Sequence, residues 1–364
     1  MVESYSLTVL ALRYATWWAG AFSKARAVCG HIRTSERMMI GPMYGGSQGG
    51  VTVTTRMQVY YHALYTDGIH PDARFPRDRY VRLSRRLRAG LAGSMIEICE
   101  APEANRDVLL MAHEAGYVDR FLAGTLSDKE VRRIGLRPWT PQLLPRTLRI
   151  MGGAIAALHS AVDTGGVAGN MAGGTHHAHR DFGSGYCVFN DLAVCAEYAQ
   201  KRLGIRRVLI LDLDVHQGDG TATILADNPD TMTISVHCGA NFPFRKAQSD
   251  LDLPVAPGSG DEECLPIVSE AIEAGMTFEP DLVLYQAGVD GLATDALGRL
   301  SWSRVGLQER NRMVLDACRD RSVPCVVFMG GGYSKPIEPT LDAFEDLFLQ
   351  AARHHASVGG AASP

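Results

Sequence analysis

The 364-residue sequence has no surplus of basic charge, because 36 lysines and arginines stand against 40 aspartates and glutamates and give a formal net charge of −4. A protein that holds nucleic acid by neutralising its phosphates needs a basic surplus or stripe, so we expect no direct nucleic-acid binding. Long hydrophobic runs are also missing. The most apolar N-terminal stretch, residues 7–22, is broken by Arg13 and follows Glu3. We therefore predict neither a secretion signal nor a membrane span.

Paired cysteine motifs are absent as well. The eight cysteines are scattered without any Cys-x-x-Cys pair, and several lie in apolar runs such as Val323–Met329. This pattern is typical of buried free thiols in a reducing compartment, and it disfavours a disulfide framework or a zinc knuckle. The location that we expect is the cytoplasm.

The composition, with 46% hydrophobic and 21% charged residues, is that of an ordinary globular chain with a large core. Residues 1–56 differ from the rest, since Gly45–Gly50 and Val51–Thr55 resemble a flexible linker. We interpret residues 1–56 either as an extension upstream of a native start at Met57 or as a genuine N-terminal arm. A single functional domain is predicted over 57–355, followed by a disordered tail at 356–364. The oligomeric state stays open.

From Met57 onward, short apolar runs alternate with segments of helical length. This alternation is typical of a parallel sheet that helices cover on both faces. The predicted strands are Gln58–His62, Val208–Asp212, Thr231–Ser235, Leu282–Gln286 and Cys325–Met329. The predicted helices are Phe189–Leu203, Glu262–Ala274, Ser303–Arg321 and Pro339–His355.

Carboxylates, imidazoles, a phenol and glycines follow the predicted strands. Ligands of open α/β sheets bind beyond the carboxyl ends of the strands, so we expect these side chains to share one site. The strand-end segments are Asp212–His216, Ser235–His237, Gln286–Asp290 and Met329–Tyr333, and the loop Gly173–His177 adds two adjacent histidines.

Asp214 and His216 are two residues apart after a strand, so in an extended segment both side chains point to the same side. With Asp290 they offer three ligands and leave one position for water, which is the arrangement of a catalytic zinc site. Taken alone, the Asp-x-His pair fits a capped loop equally well. A second metal is disfavoured, because Gly218 stands where a further carboxylate is usual in binuclear sites.

The adjacent pair His176 and His177 is the second group of interest, because imidazole has the pKa best suited to a general base near neutral pH. Asp212 and Asp219 flank the metal-ligand segment and are suited to fixing the tautomers of the two rings. A surface or helix-capping histidine pair is the alternative. We expect His179 at the rim or the surface.

Tyr333 follows three glycines after an apolar strand, which lets the backbone bend tightly and present a phenol to the site. Such a hydroxyl donates to the oxyanion that forms during hydrolysis. The alternative is a packed core tyrosine. Gly183-x-Gly185 lacks the third glycine of a dinucleotide loop and no good strand precedes it, so NAD binding is rejected.

The ordered set of motifs resembles the zinc-dependent histone deacetylase family over roughly residues 57–350. The resemblance is closest to bacterial members near class IV, and it implies the arginase/deacetylase fold, a three-layer α/β sandwich with a central, mostly parallel sheet. The motifs that carry it are Gly173–His177, Gly183–Asp191, Asp212–Gly220 and Gly330–Tyr333, with Asn241–Lys246 and Ser249–Asp252 indicating the subgroup.

The resemblance implies that Asp214, His216 and Asp290 hold zinc, with ferrous iron as the alternative metal. It makes His177 the principal general base and acid, oriented by Asp219. The remaining roles that it implies are an electrostatic partner, His176 paired with Asp212, and a carbonyl-polarising tyrosine, Tyr333.

Two further sites follow from the resemblance. A structural potassium ion would be held by Asp212 and Ser235 with main-chain carbonyls, those of Asp214, His216 and Val236. A narrow acyl-lysine tunnel would be lined by Gly185, Tyr186 and Phe242. Tyr186 departs from the family pattern, in which a phenylalanine is usual, and the loop that reads the substrate backbone in some relatives is not identifiable.

The function implied is hydrolytic removal of acetyl or longer acyl groups from lysine side chains. The partners expected are therefore acyl-lysine proteins or small acylated amines. We expect no membrane binding. An acetylpolyamine amidohydrolase is the alternative within the enzyme class, and an acidic, narrow mouth would favour it. A non-catalytic acyl-lysine-binding protein is the alternative from another class.

Overall fold

The computed structural model describes residues 56–359, which belong to one compact unit. The predicted extension at 1–56 lies outside the described residues except for Arg56, and so do residues 360–364 of the predicted tail. Residues 356–359 form the end of the last helix, so this part of the expected disordered tail is helical.

Eight parallel strands form one sheet in the order β2-β1-β3-β8-β7-β4-β5-β6. The predicted parallel sheet is thus confirmed, and every pairing between its described strands is parallel. The strands are β1 (Met57–Tyr61), β2 (Ile96–Glu100), β3 (Val167–Asn170), β4 (Val208–Asp212), β5 (Thr231–Cys238), β6 (Leu251–Val255), β7 (Leu282–Gln286) and β8 (Cys325–Phe328).

The four central strands, β3, β8, β7 and β4, are buried along their whole length. Parallel strands covered on both faces need apolar residues at successive positions, and the runs Val208–Leu211 and Cys325–Phe328 supply them. Because the sheet is parallel, the carboxyl ends of these four adjacent strands lie side by side at one edge.

Twelve helices accompany the sheet in the described part of the chain. They are α1 (Leu64–Asp67), α2 (Arg79–Arg88), α3 (Gly90–Met95), α4 (Arg106–Leu109), α5 (Ala115–Leu122), α6 (Asp128–Ile134), α7 (Leu143–Thr164), α8 (Asp191–Arg202), α9 (Asp219–Leu225), α10 (Asp261–Thr277), α11 (Arg304–Asp320) and α12 (Glu338–Gly359). Helices α7 and α12 both pack on β1 and β3, whereas α10 packs on β4, β5 and β6. This all-parallel eight-stranded sheet with helices packed on it is the architecture expected of the α/β arginase/deacetylase fold, which the resemblance implies.

Side-chain caps fix several of the helix starts. Asn190 accepts a hydrogen bond from the Ala193 amide at the start of α8, and Ser303 accepts one from the Gly306 amide at the start of α11. Such a cap satisfies one of the amides that a helix leaves without an internal partner. The cap at Asn190 thereby fixes the start of α8 shortly after the histidine loop and two of the predicted tunnel residues, Gly185 and Tyr186.

All seven cysteines in the described part of the chain are free, and six of them are buried. The expectation of buried free thiols is confirmed for these residues. Between residues 56 and 359, none of the helices combines the length and the apolarity that crossing a membrane requires.

Candidate active site

Four neighbouring strand ends supply polar residues that line one cavity or lie directly beside its lining. The segment after β4 carries Asp214 and His216, and the segment after β7 carries Asp290. Tyr333 follows β8, and the histidine pair follows β3. The cavity has a volume of about 530 Å³ and is lined by His176, His177, Asp214, His216 and Tyr333 together with the predicted tunnel residues Gly185, Tyr186 and Phe242.

Asp214, His216 and Asp290 form the one cluster of potential metal ligands found among residues 56–359, with ligand atoms within 4.8 Å of one another. The His216 Nδ1 atom lies 3.1 Å from Asp214 Oδ1 and 3.0 Å from Asp290 Oδ2. One imidazole nitrogen and two carboxylate oxygens are a donor set that suits zinc, and three protein ligands leave a position for water or substrate. The residues present therefore fit the metal.

Main-chain amides orient the two carboxylates. The Gly331 amide donates to Asp214 Oδ2 at 2.8 Å, and the Val215 amide donates to Asp290 Oδ1 at 3.0 Å. Residue 331 has to be glycine, because a Cβ atom there would overlap the Asp290 carboxylate. The glycine segment after β8 is thus part of the frame that holds the metal-ligand cluster.

The charges of this cluster are strongly coupled. Burial and the neighbouring Asp214 carboxylate raise the pKa of Asp290 to about 7. Burial would lower the pKa of His216, but its hydrogen bonds to Asp214 and Asp290 prevail and raise the pKa to about 10. Two buried carboxylates that share a single imidazole leave negative charge that a divalent cation would neutralise.

The histidine pair is buried, and each ring is held by its own carboxylate. His176 Nδ1 lies 2.7 Å from Asp212 Oδ2, and His177 Nδ1 lies 2.7 Å from Asp219 Oδ1. The two ring centroids are 4.1 Å apart. The structure therefore brings together both histidine–carboxylate pairs that the sequence suggested.

The two histidines have opposite pKa shifts. Burial and the nearby His176 lower the pKa of His177 to about 4, although Asp219 acts against this change. Burial alone would lower the pKa of His176, but the carboxylates of Asp212 and Asp214 outweigh it and raise the pKa to about 9. At neutral pH, His177 is therefore neutral and able to accept a proton, whereas His176 is charged.

His179 lies deeper than the rim or surface position that we expect from the sequence, because only 18% of its side chain is exposed. Its Nε2 atom lies 3.2 Å from Asp219 Oδ2, and its Nδ1 atom lies 2.8 Å from Thr223 Oγ1. Asp219 consequently serves two histidines, one on each carboxylate oxygen. Its pKa is held below the ordinary value by these hydrogen bonds, even though burial acts in the opposite direction.

The Tyr333 ring lies beside the tunnel, and its amide donates to Asp295 Oδ2 at 2.6 Å. Burial raises the pKa of the Tyr333 phenol well above its ordinary value, so the hydroxyl stays protonated and remains a hydrogen-bond donor. The ring centroids of Tyr333 and Tyr186 are 6.2 Å apart on the cavity wall.

Arg79 is a site residue that sequence reasoning missed. It is buried, and it donates to the Gly332 carbonyl at 3.0 Å and to the Gly330 carbonyl at 3.1 Å. Its guanidinium carbon lies 5.5 Å from the centroid of the Tyr333 ring. Arg79 therefore braces the segment that carries the tyrosine.

Phe242 and Gly185 lie against His177 at the tunnel wall. The ring centroids of Phe242 and His177 are 4.9 Å apart in an edge-to-face arrangement. A Cβ atom at Gly185, where φ is +54°, would press against the His177 ring. These two residues narrow the cavity next to the imidazole that is able to accept a proton.

Ser235, the other predicted potassium ligand, lies inside β5 and not at its end, because the strand continues to Cys238. The strand register pairs Asp212 with Ser235, so the two residues are neighbours across the sheet. The Ser235 hydroxyl oxygen lies 3.0 Å from His237 Nδ1. The potassium site stays a prediction.

The strand ends of this parallel sheet bring together a candidate metal triad, a buried histidine pair and a protonated phenol. This combination is typical of a metal-dependent α/β hydrolase. Comparison with known proteins makes this class specific. A family profile described as the histone deacetylase domain matches residues 73–343. The chain belongs to the histone deacetylase family, whose deacetylases and amidohydrolases are generally metal-dependent and act on acylated substrates.

Three relatives illustrate the similarity. An uncharacterized protein of Picosynechococcus is 41% identical over 280 residues, which cover 77% of this chain and 93% of that protein. Histone deacetylase 2 of Arabidopsis thaliana is 33% identical over 264 residues, covering 70% and 68% of the two chains. A histone deacetylase-like amidohydrolase of Pseudomonas aeruginosa is 31% identical over 262 residues, covering 67% and 68%.

Proposed function

We propose that the protein is a zinc-dependent amidohydrolase that removes acetyl or longer acyl groups from lysine side chains. The observation that carries this proposal is that one cavity is lined by Asp214 and His216 of the candidate metal cluster, by the His176–His177 pair and by Tyr333. The free thiols of the described cysteines accord with a reducing compartment, and we propose the cytoplasm as the location.

Asp214, His216 and Asp290 would hold the metal, with zinc proposed over ferrous iron because the donor set suits it. When bound, zinc supplies Lewis-acid polarisation of the acyl carbonyl and lowers the pKa of a water molecule. The acidic residue Asp212 is not part of this ligand set, because its Oδ2 atom is engaged by His176. We assign Asp212 and Ser235 to a structural potassium ion.

The chain's own residues move the proton. His177 has Nδ1 engaged by Asp219, which leaves Nε2 to accept the proton of the attacking water. The same atom then delivers the proton to the nitrogen of the leaving lysine amine. His176 is charged at neutral pH, and it stabilises negative charge that develops beside it without taking part in the transfer.

Tyr333 donates a hydrogen bond to the acyl oxygen as negative charge accumulates there. Its high pKa keeps the proton on the phenol throughout. Gly185, Tyr186 and Phe242 form the walls that would enclose the methylene stem of the lysine and exclude water around it. A neutral amide at the end of an apolar stem matches these walls.

The experiment that tests the proposal uses metal-stripped protein with and without added zinc or ferrous iron. Hydrolysis is measured on acyl-lysine peptides from acetyl to long fatty acyl and on acetylpolyamines. Zinc-dependent turnover of acyl-lysine peptides is the expected result. If zinc is bound but no substrate is hydrolysed, the protein is a non-catalytic acyl-lysine binder instead.

Tyr333→Phe tests the mechanism within the same assay. Loss of one oxyanion donor should lower kcat about 10²- to 10³-fold while the zinc content is unchanged. Tyr198→Phe is the matched control, because Tyr198 lies on α8 and, among residues 56–359, its hydroxyl makes a hydrogen bond with His159 alone, at 3.3 Å. A near-normal kcat for Tyr333→Phe would remove the role assigned to this tyrosine.

A further inference from the structure

A second cavity, of about 620 Å³, adjoins the tunnel. It shares three wall residues with the tunnel, namely Tyr186, Leu297 and Tyr333. Its remaining wall includes two cationic side chains, Arg74 and Lys335, both of which are exposed. Groups that flank an acyl-lysine held in the tunnel would therefore lie close to this cavity.

Two more exposed cations, Arg133 and Arg299, line the first cavity. Within residues 56–359, none of the four cations forms an ion pair with an acidic side chain. The exposed arginines of α11 behave differently, since Arg304 pairs with Asp346 and Arg312 pairs with Glu309. The tunnel mouth thus carries uncompensated positive charge in a chain whose net charge is −4.

Acidic side chains contribute almost nothing to the described walls of either cavity. The buried candidate metal ligand Asp214 is the single carboxylate among the residues that line the two spaces. The carboxylate of Asp295 lies near the wall, but it accepts hydrogen bonds from the amides of Leu297, Gly298 and Tyr333. Both of its oxygens are therefore engaged by main-chain donors.

The mouth also has large exposed apolar side chains. The Phe244 side chain is 87% exposed and Leu297 is 44% exposed, and both line the tunnel cavity. Large exposed apolar side chains next to unpaired cations are typical of a binding surface. A peptide with acidic and apolar residues around its acyl-lysine would match this surface.

We infer that the second cavity and the adjoining mouth form an anion subsite that binds a carboxylate close to the acyl-lysine of the substrate. The inference rests on the proposed function and names its substrate class. The carboxylate comes either from an Asp or Glu side chain next to the acyl-lysine or from the α-carboxylate of free acyl-lysine. Acylated polyamines carry further ammonium groups that these cations repel, so the subsite disfavours them.

The test compares zinc-loaded full-length protein on acetyl-lysine peptides of equal length. The residues on either side of the acetyl-lysine are Glu, Gln or Lys, and acetylspermidine, free acetyl-lysine and acetyl-lysine amide complete the set. We expect kcat/KM to fall about fivefold from Glu to Gln and again from Gln to Lys, mainly through KM. The difference should shrink at high salt. A preference for free acetyl-lysine over its amide would identify the α-carboxylate as the source.

In a double variant, Arg74→Gln with Lys335→Gln, the ratio of kcat/KM on the Glu-flanked peptide to kcat/KM on the Gln-flanked peptide should be close to one. The matched control is Arg106→Gln with Lys201→Gln, which removes two exposed cations that pair elsewhere, with Asp119 and Glu197. The control changes the net charge by the same amount and should keep the full ratio. Loss of the ratio in both variants would assign the effect to the overall field of the protein and overturn the subsite.

Binding gives a second readout that does not depend on turnover. Fluorescent versions of the same peptides are titrated against Tyr333→Phe protein, and the anisotropy is measured. Preferential binding of the acidic peptide by this variant, combined with no hydrolysis of any substrate by the zinc-loaded wild type, would support the subsite and refute the proposed enzyme. Equal or reversed preference in both assays, or preferred hydrolysis of acetylspermidine, would overturn the subsite even though hydrolysis itself is observed.

Discussion

His176 and His177 are adjacent in the sequence, but their surroundings give them different charges. Burial lowers the pKa of both rings, but two carboxylates outweigh it at His176 and raise that pKa to about 9. At His177, burial and the charged His176 outweigh the single carboxylate, and the pKa falls to about 4. Titratable neighbours whose pKa values are pushed apart are typical of an active site with separate roles for its members. The proton-transfer role that we propose for His177 depends on this difference.

Asp219→Asn tests how far His177 relies on its carboxylate. Asparagine loses the charged acceptor that holds Nδ1, so kcat should fall about 10²-fold or more while the zinc content is retained. Because Asp219 raises the pKa of His177, its removal should also move the acidic limb of the kcat/KM profile to lower pH. The pH profile and kcat are measured together on one zinc-saturated preparation.

Asp227→Asn serves as the control, since Asp227 is exposed and lies just after α9. Its kcat and pH profile should match the wild type. An Asp219→Asn protein with wild-type kcat, or with reduced kcat but an unmoved acidic limb, would contradict the assigned role. The second pattern would point to a general loss of structure around the histidines.

At the residue scale, the sequence predicts those site residues that directly follow a recognisable strand. Asp214, His216 and Asp290 were found in this way, and the structure brings them together. Arg79 was missed, because it is one of seven arginines between residues 74 and 88 and such a run is expected at the surface. Only its position on α2 and its reach to the Gly330 and Gly332 carbonyls distinguish it.

At the scale of elements, His113 ties the histidine loop to α8. Its Nδ1 atom lies 3.0 Å from the His179 carbonyl, and its Nε2 atom accepts a hydrogen bond from the Asn190 amide at 2.9 Å. The Asn190 side chain in turn donates to the carbonyls of His176 and Ala178. This set of bonds requires neutral His113, since a proton on Nε2 would face the Asn190 N–H.

His113→Gln should change how stability depends on pH. Burial lowers the pKa of His113 to about 4, against about 6.5 in the unfolded chain, so its contribution is complete above pH 6.5 and is lost as the pH falls toward 4. Between pH 7.5 and 4.5 the wild type should lose about 2 kcal/mol more unfolding free energy than the variant. Urea unfolding at both pH values measures this, and parallel losses in the two proteins would refute the assignment.

Gly331→Ala tests the segment after β8 as the frame of the metal-ligand cluster. The new Cβ would overlap the Asp290 carboxylate, so we expect zinc affinity to fall about 10- to 100-fold in competition with a chelator. Gly116→Ala is the control, because a Cβ there meets only the end of the Arg120 side chain at an ordinary distance. Equal zinc affinity for both variants would show that the cluster adjusts to the added methyl group.

The elements that the sequence predicts are those with long apolar runs. Strands β4, β5, β7 and β8 are predicted from such runs. Strand β3 is not, because it has only four residues, and two of them, Gly169 and Asn170, are not apolar strand formers. Helix α7 was missed because Pro145 and the pair Gly152-Gly153 suggest breaks. The structure explains Gly152, since a Cβ atom there would overlap the Pro102 carbonyl where the helix packs closely.

At the scale of the whole molecule, the site depends on a strand order that differs from the sequence order. The four strands that supply the site, β3, β8, β7 and β4, are neighbours in the sheet although they are spread over more than a hundred residues of sequence between 167 and 328. Each pairing is fixed by tertiary contacts and not by a turn signal. The sequence therefore predicts which strands are followed by catalytic or ligand residues. The order in which these strands lie in the sheet is known only from the structure or from family resemblance.

The same topology predicts where the functional domain starts. Strand β1 begins at Met57 and pairs over its five residues with β2 on one side, while Val59 and Tyr60 pair with β3 on the other. A chain that starts at Met57 keeps every strand and every site residue described above, so it should bind zinc and hydrolyse substrate like the full chain. A chain that starts at His62 loses β1 and leaves β2 without a partner, so it should be insoluble on expression or have a Tm at least about 10 °C lower. A domain of this size loses roughly 2–4 °C in Tm per kcal/mol, and the loss of a whole strand should cost several kcal/mol. Zinc content, thermal unfolding and kcat of the three chains decide the matter: a Met57 chain that fails to fold would show that residues 1–56 belong to the functional domain.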